Sequence, residues 1–280
     1  MLIATDLDGT LLSPEGTISA RTRAAIAAAE AAGAPVVPVT ARQLYGLTGI
    51  REGLGRWALC SNGAICWDLH AQTVLFALPM TSAVARRFAT ALSQAAPGTV
   101  FAAIQDNGQY FASQAGYPDL CVFSDHHRDP AEMPTLSLAE VTGADCLKLV
   151  ARHPRLSVPQ LSRIAETVAD PAEVHITNSG AGMLEVSAAG VTKDTGVAML
   201  AERLGMTRAD VVAFGDGDND VELLAWAPRS WAVANAVPAA LAAANHRAPS
   251  NAEDGVAQII ESLVAEVRAE PLAGQRQLGV

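Results

Sequence analysis

The sequence predicts an α/β fold: a doubly wound parallel sheet into which a smaller α+β unit is inserted. Three observations carry this. Short apolar runs alternate with alanine-rich helical stretches over residues 1–60, and the same alternation returns after residue 189. Between them, over 81–188, short strand-like runs follow one another with fewer helices. Strands that alternate with helices favour a parallel sheet, and strands in succession favour antiparallel pairing.

The elements follow in order. LIAT (2–5) is an apolar run that ends in an acidic loop. Residues 19–32 form a helix with Ser19 as N-cap and Gly33 beyond its end. PVVPVT (35–40) reads as a short, irregular strand because Pro38 lies inside it. WALCSNGA (57–64) reads as a third strand of the same sheet, followed by a turn. The insert has helices at 82–95 and 157–169 and strands at 99–104, 110–113, 146–151, 173–177 and 183–187. The first unit then resumes with a helix at 195–204 stopped by Gly205, and DVVAFGD (210–216) runs as a buried strand into a second acidic loop. A helix at 221–227, a strand at 231–234, helices at 238–245 and from 253 to about 269, and a frayed tail complete the chain. The organisation is a core of 1–80 and 189–280 with an inserted unit at 81–188.

Composition limits the function classes. Of 280 residues, 50% are apolar and 17% charged, which suits packed cores and excludes a disordered chain. A net charge of −10 without a basic run argues against nucleic acid as a partner. The N-terminus has no basic region and reaches Asp6 and Asp8 at once, so no signal peptide is expected. The longest uncharged stretch, 88–105, contains Ser93, Gln94, Pro97 and Gly98 and does not suit a membrane span. A soluble cytoplasmic protein, monomer or homodimer, is expected. Cys60, Cys66, Cys121 and Cys146 lack metal-site spacing and read as buried thiols. The chain has only two Lys, Lys148 and Lys193, beside 17 Arg. Lys148 lies in an apolar run, LKLV, and is expected to point outward from its strand.

The chemistry concentrates where apolar strands end. Asp6 and Asp8 are two apart, so in extended chain they face one way, and Gly9 permits a sharp turn after them. Gly215-Asp216-Gly217-Asp218-Asn219-Asp220 follows another apolar strand, and Thr40-Ala41-Arg42 follows a third. In open parallel sheets, ligands bind beyond the carboxyl ends of the strands. Four carboxylates gathered there repel one another, at about 4 kcal/mol per pair 4 Å apart and an effective dielectric near 20. A hard divalent cation relieves this, and carboxylate oxygens suit Mg²⁺ together with a substrate phosphate. Lys193 supplies a further positive charge. A calcium loop beginning at Asp216 fails, because Val221 stands where glycine is needed and Ala227 where glutamate is needed.

Asp6-x-Asp8-Gly9-Thr10, Thr40-x-Arg42, Ser61-Asn62-Gly63, Lys193 and Gly215-Asp216-x-x-Asn219-Asp220 together resemble the haloacid dehalogenase superfamily, most closely its Cof-type phosphatases with a large α+β cap. SNAEDGVAQII (250–260) is similar to that group's C-terminal signature. The resemblance implies a Mg²⁺-dependent phosphatase acting on a small phosphorylated metabolite such as a sugar phosphate. It implies Asp6 as nucleophile and Asp8 as general acid and base. It implies a metal held by Asp6, the Asp8 backbone carbonyl and Asp216, with Asp220, Asn219 and Arg42 in support, and Thr40 and Lys193 on the phosphate. Ala41 replaces the family's usual glycine, and Asp194 follows Lys193 where glycine is usual. A phosphomutase on the same core and a non-catalytic phospho-acceptor remain as alternatives. In the insert, Asp125-His126-His127 reads first as a polar surface loop and second as a substrate contact. Asn178 and Ser179 are further candidates for that contact.

Overall fold

The computed structural model describes residues 1–269; the tail expected to fray lies outside them. β1 (Leu2–Thr5) is buried along its length, as a strand covered on both faces must be. α1 (Ala20–Ala31) begins where the Thr22 N–H donates to the Ser19 hydroxyl at 3.0 Å. β2 (Val36–Pro38) pairs parallel with β1 and is short, as Pro38 requires.

The next segment corrects the sequence reading. β3 (Trp57–Cys60) opens an antiparallel meander with β4 (Ile65–Asp68) and β5 (Thr73–Ala77). The Val39–Leu59 bridge and hydrogen bonds from the Ser61 and Asn62 N–H groups to the Arg42 and Thr40 carbonyls join it to the end of β2. The reason is local: the Ser61-Asn62-Gly63 turn has three consecutive residues at positive φ and reverses the chain at once.

A second five-stranded sheet is wholly antiparallel. α2 (Ser82–Ala95), β6 (Val100–Gln105) and β7 (Tyr110–Ser113) come first, then the short helices α3 (Phe123–His126) and α4 (Leu138–Val141). β8 (Cys146–Arg152), α5 (Val158–Val168), β9 (Val174–Thr177) and β10 (Leu184–Ala188) follow. The strand order is β7-β6-β8-β10-β9. α2 and α5 present Phe88, Leu92 and Leu161 to a cluster of their own on one face of this sheet.

The chain then returns to the parallel sheet through α6 (Lys193–Arg203), β11 (Val211–Gly215), α7 (Val221–Trp226), β12 (Arg229–Val233), α8 (Pro238–Ala243), β13 (His246–Ala248) and α9 (Gly255–Ala269). Its order is β13-β12-β11-β1-β2, with every pairing parallel. The carboxyl ends of β1, β2 and β11 therefore lie side by side. Among the described residues, no helix is long and apolar enough to cross a membrane.

Candidate active site

Asp6 ends β1, and its N–H donates to the Phe214 carbonyl of β11 at 3.0 Å, which fixes it beside the second acidic loop. Its carboxylate is buried and receives a 2.6 Å hydrogen bond from Lys193 Nζ, which donates equally at 2.6 Å to Asp220. The Lys193 side chain has no exposed surface. Oxygens of Asp6, Asp216 and Asp220 lie within 4.8 Å of one another. Asp220 is oriented by its own loop, accepting from the Asp216 and Gly217 N–H groups at 3.0 and 2.9 Å. Thr10 donates to Asp216 Oδ1.

Local backbone accounts for this convergence. Gly9 adopts φ 85°, and a Cβ there would collide with the Asp216 carboxylate. Only glycine lets the two acidic loops close on each other. Gly63 and Gly196 touch across the start of α6, where side chains on either would strike backbone. That close approach seats the first turn of α6, and so Lys193, under the cluster.

The electrostatics match the geometry. Burial pushes the Asp6 carboxyl well above its usual range; Lys193 opposes that shift, while Asp220, Asp216 and Asp8 add to it. Burial likewise lifts Asp216 to about 6. Burial disfavours the Lys193 charge, but Asp220 and Asp6 outweigh it and hold its pKa above the ordinary lysine value.

The other expected residues separate into two groups. Thr40, buried at the end of β2, Asn219 and Arg42 line the same cleft as Asp6, Asp8 and Asp216. The Asp8 carboxylate, however, turns out of the acidic cluster. It is half exposed and gripped at both oxygens by Arg42, whose Nε donates at 2.7 Å. Asp220, expected only in a supporting place, supplies the third carboxylate.

The far wall of the cleft, which encloses about 590 Å³, comes from the antiparallel unit. Asp125, His126, His127 and Ser179 all line it, so the surface-loop reading of Asp125-His126-His127 is corrected. Arg152 draws the segment inward by pairing with Asp125 at 2.6 Å and donating to the Leu120 and Ala181 carbonyls. His126 hydrogen-bonds Tyr117 at 2.8 Å, and burial, with Lys148 and Arg152 nearby, pushes its pKa down to about 3. Asn178 instead donates to Asp218 at 3.1 Å.

Sequence reasoning missed Lys148 and Glu185. Lys148 does not point outward. It is buried, pairs with Glu185, donates to the Ala41 carbonyl at 3.0 Å and lines the cleft. The scarcity of lysine in the chain was the available signal.

The family model for haloacid dehalogenase-like hydrolases matches residues 3–260. The chain belongs to that family. Among curated relatives of this hydrolase, the Escherichia coli pyridoxal phosphate phosphatase YbhA is 30% identical over 270 residues, covering 93% of this chain and 97% of that protein. The Bacillus subtilis 5-amino-6-(5-phospho-D-ribitylamino)uracil phosphatase YcsE is 28% identical over 265 residues, covering 94% and 95%. Among solved structures, a haloacid dehalogenase-like hydrolase from B. subtilis superposes with a TM-score of 0.79 at 21% identity, covering 94% of this chain and 99% of that one. That likeness places the hydrolase's fold. Its acidic cluster, its lysine and its polar cleft stand at the sheet edge where the fold opens.

Proposed function

We propose that this hydrolase is a Mg²⁺-dependent phosphatase of small phosphomonoesters, working through an aspartyl-phosphate on Asp6. The observation that carries the reading is the Asp6 carboxylate, fixed by Lys193 at the floor of a polar cleft beside two further carboxylates. Three carboxylates facing one ammonium leave uncompensated negative charge, and their oxygens are hard donors, so the residues fit Mg²⁺. Asp6 and Asp216 would hold the ion with the Asp8 carbonyl, and Asp220 in support. Bound there, the ion would neutralise phosphoryl oxygens and favour attack by an anion.

The chain's own residues perform the rest. Lys193 engages Asp6 Oδ1 and leaves Oδ2 to attack phosphorus. The P–O bond to the leaving group breaks as Asp8, protonated, gives its proton to the departing oxygen. A water then attacks phosphorus of the acyl phosphate, Asp8 takes its proton, and phosphate and the Asp6 carboxylate are released. Splitting one displacement in two is what a carboxylate nucleophile contributes. To act, Asp8 must leave Arg42, whose guanidinium occupies both of its carboxylate oxygens and turns it away from Asp6. Thr40 and Asn219 line the same cleft and would donate to the phosphoryl oxygens.

The activities for which YbhA and YcsE are named support small phosphorylated metabolites as the substrate class. The test is phosphate release from a panel of sugar phosphates, nucleotides and an aryl phosphate, with Mg²⁺, with chelator, and with Asp6→Asn. Release that needs the metal and vanishes in the variant is expected. No release from any compound by folded, Mg²⁺-supplied protein refutes the reading.

A further inference from the structure

The chain contains two lysines and 17 arginines. Both lysines are buried, one beneath the acidic cluster and one in the opposite wall. Arginine serves for the other cations of this chain, so lysine is kept where a compact, point-like ammonium is needed. Lys193 has its role in the proposed mechanism; Lys148 has none.

We infer that Lys148 and Glu185 together bind a hydroxyl of the leaving group and set specificity for hydroxylated phosphate esters. The inference rests on the phosphatase reading above. Lys148 stands on β8 and Glu185 on the adjacent strand β10, and both line the cleft that holds Asp6 and Asp8. Their neighbours along the strands, Leu147, Leu149, Leu184 and Val186, are buried and apolar. Replacing a buried ion pair by apolar side chains of like volume is often neutral or stabilising, so packing does not call for charges here.

The hydrogen bonding leaves capacity at the cleft wall. Lys148 donates to Glu185 Oε1 and, at 3.0 Å, to the Ala41 carbonyl. One N–H of the ammonium remains. Glu185 Oε2 accepts from Asn62 at 3.1 Å, and each carboxylate oxygen has a second lone pair. A hydroxyl is the group that accepts from the ammonium and donates to the carboxylate at once. Because the two charges neutralise each other, a charged leaving group gains no net attraction from them.

The pair is also tied by hydrogen bonds to residues at the phosphate end. Ala41 follows Thr40, and Asn62 accepts from Asn219, the neighbour of Asp220, at 3.0 Å. A leaving group whose hydroxyl docks here would lie in the same cleft that Asp6 lines. The same contacts could serve merely to brace one unit on the other, and the experiment separates the two roles.

Lys148→Met and Glu185→Gln are prepared in the full chain with Mg²⁺. The kcat/KM values are measured for hexose and pentitol phosphates and for p-nitrophenyl phosphate, which offers no hydroxyl. In both variants the ratio of the best hydroxylated ester to the aryl ester should fall by about tenfold or more, chiefly through KM, the scale of one lost charge-assisted hydrogen bond. A brace would lower both rates together; a ratio unchanged within about twofold overturns the inference. Wild-type protein that hydrolyses the aryl ester but no hydroxylated ester also overturns it, with the phosphatase reading intact. Wild-type protein that hydrolyses neither removes the phosphatase reading itself, and this assignment falls with it. Glu185→Gln is nearly isosteric and decides the matter if Lys148→Met does not fold.

Discussion

Replacing Lys193 by Met removes one charge at nearly constant volume and tests what holds the acidic floor together. The ammonium has no exposed surface and lies 2.6 Å from Asp6 and 2.6 Å from Asp220. Removing one partner from a buried ion pair costs about 3–5 kcal/mol, because the remaining charges stay uncompensated. For a chain of comparable size each kcal/mol moves Tm by roughly 2–4 °C, so a fall of about 6–20 °C is expected. The assay is thermal unfolding at neutral pH, once in chelator and once in excess Mg²⁺. The variant should melt well below wild type in chelator, and the gap should narrow with Mg²⁺, since a divalent cation restores positive charge among the same oxygens. The gap should narrow again at mildly acidic pH, where Asp216, with its pKa near 6, takes up a proton. Equal melting temperatures in chelator, or a gap insensitive to both Mg²⁺ and pH, would refute the view that Lys193 is the charge holding these carboxylates together.

Two further outcomes follow from the same floor. The Asp216 carboxyl lies near 6 when folded against an ordinary 3.8, so between those values the folded chain binds more protons than the unfolded one. Its contribution is therefore fully present below about pH 4 and is lost as pH rises through 6, by up to roughly 3 kcal/mol. Urea unfolding in chelator should show this group's loss across that window, and Mg²⁺ should offset it, because the metal binds the deprotonated carboxylates; a metal effect that does not grow with pH would contradict this. Gly9→Ala places a methyl against the Asp216 carboxylate at φ 85°. It should cost about 1–3 kcal/mol and weaken Mg²⁺ binding in calorimetric titration, whereas wild-type affinity would show that the two loops need not approach so closely.

The sheet edge was legible in the sequence because its signals are local. An apolar run that stops at paired aspartates is a strand end with polar residues, and a parallel sheet delivers such ends to one place. Asp6, Asp216 and Lys193 could thus be brought together from sequence alone, although 187 residues separate Asp6 from Lys193. What was not legible depends on long-range partners. Lys148 looked like an outward residue because its apolar neighbours alternate on one strand, and nothing nearby announces Glu185, 37 residues on. Asp125-His126-His127 looked like a surface loop because its composition is polar. Arg152, arriving from β8, turns the segment into the cleft. The meander β3-β4-β5 differs, because its cause is local: the strand after WALC begins only five residues after Cys60, too close for a crossover helix, so the turn sets antiparallel pairing.

The two buried lysines divide the work of the cleft by their surroundings. Lys193 meets more than one carboxylate, so its side of the cleft keeps net negative charge, and that side repels a phosphate dianion until a cation joins it. The protein as a whole gives no help, because a net charge of −10 does not steer anions inward. Affinity for the phosphoryl group must therefore come from local neutralisation, and in the proposed mechanism it depends on the metal. Lys148 meets one carboxylate and is cancelled by it. The pair adds no net charge to its side of the cleft, only hydrogen-bonding directions fixed by Glu185, Asn62 and the Ala41 carbonyl. In the proposed mechanism the floor answers to charge, and on the inferred role of Lys148 and Glu185 the wall answers to the placement of hydroxyls. On this division, mutations at the floor should change whether phosphate is released at all, and mutations at the wall should change from which ester.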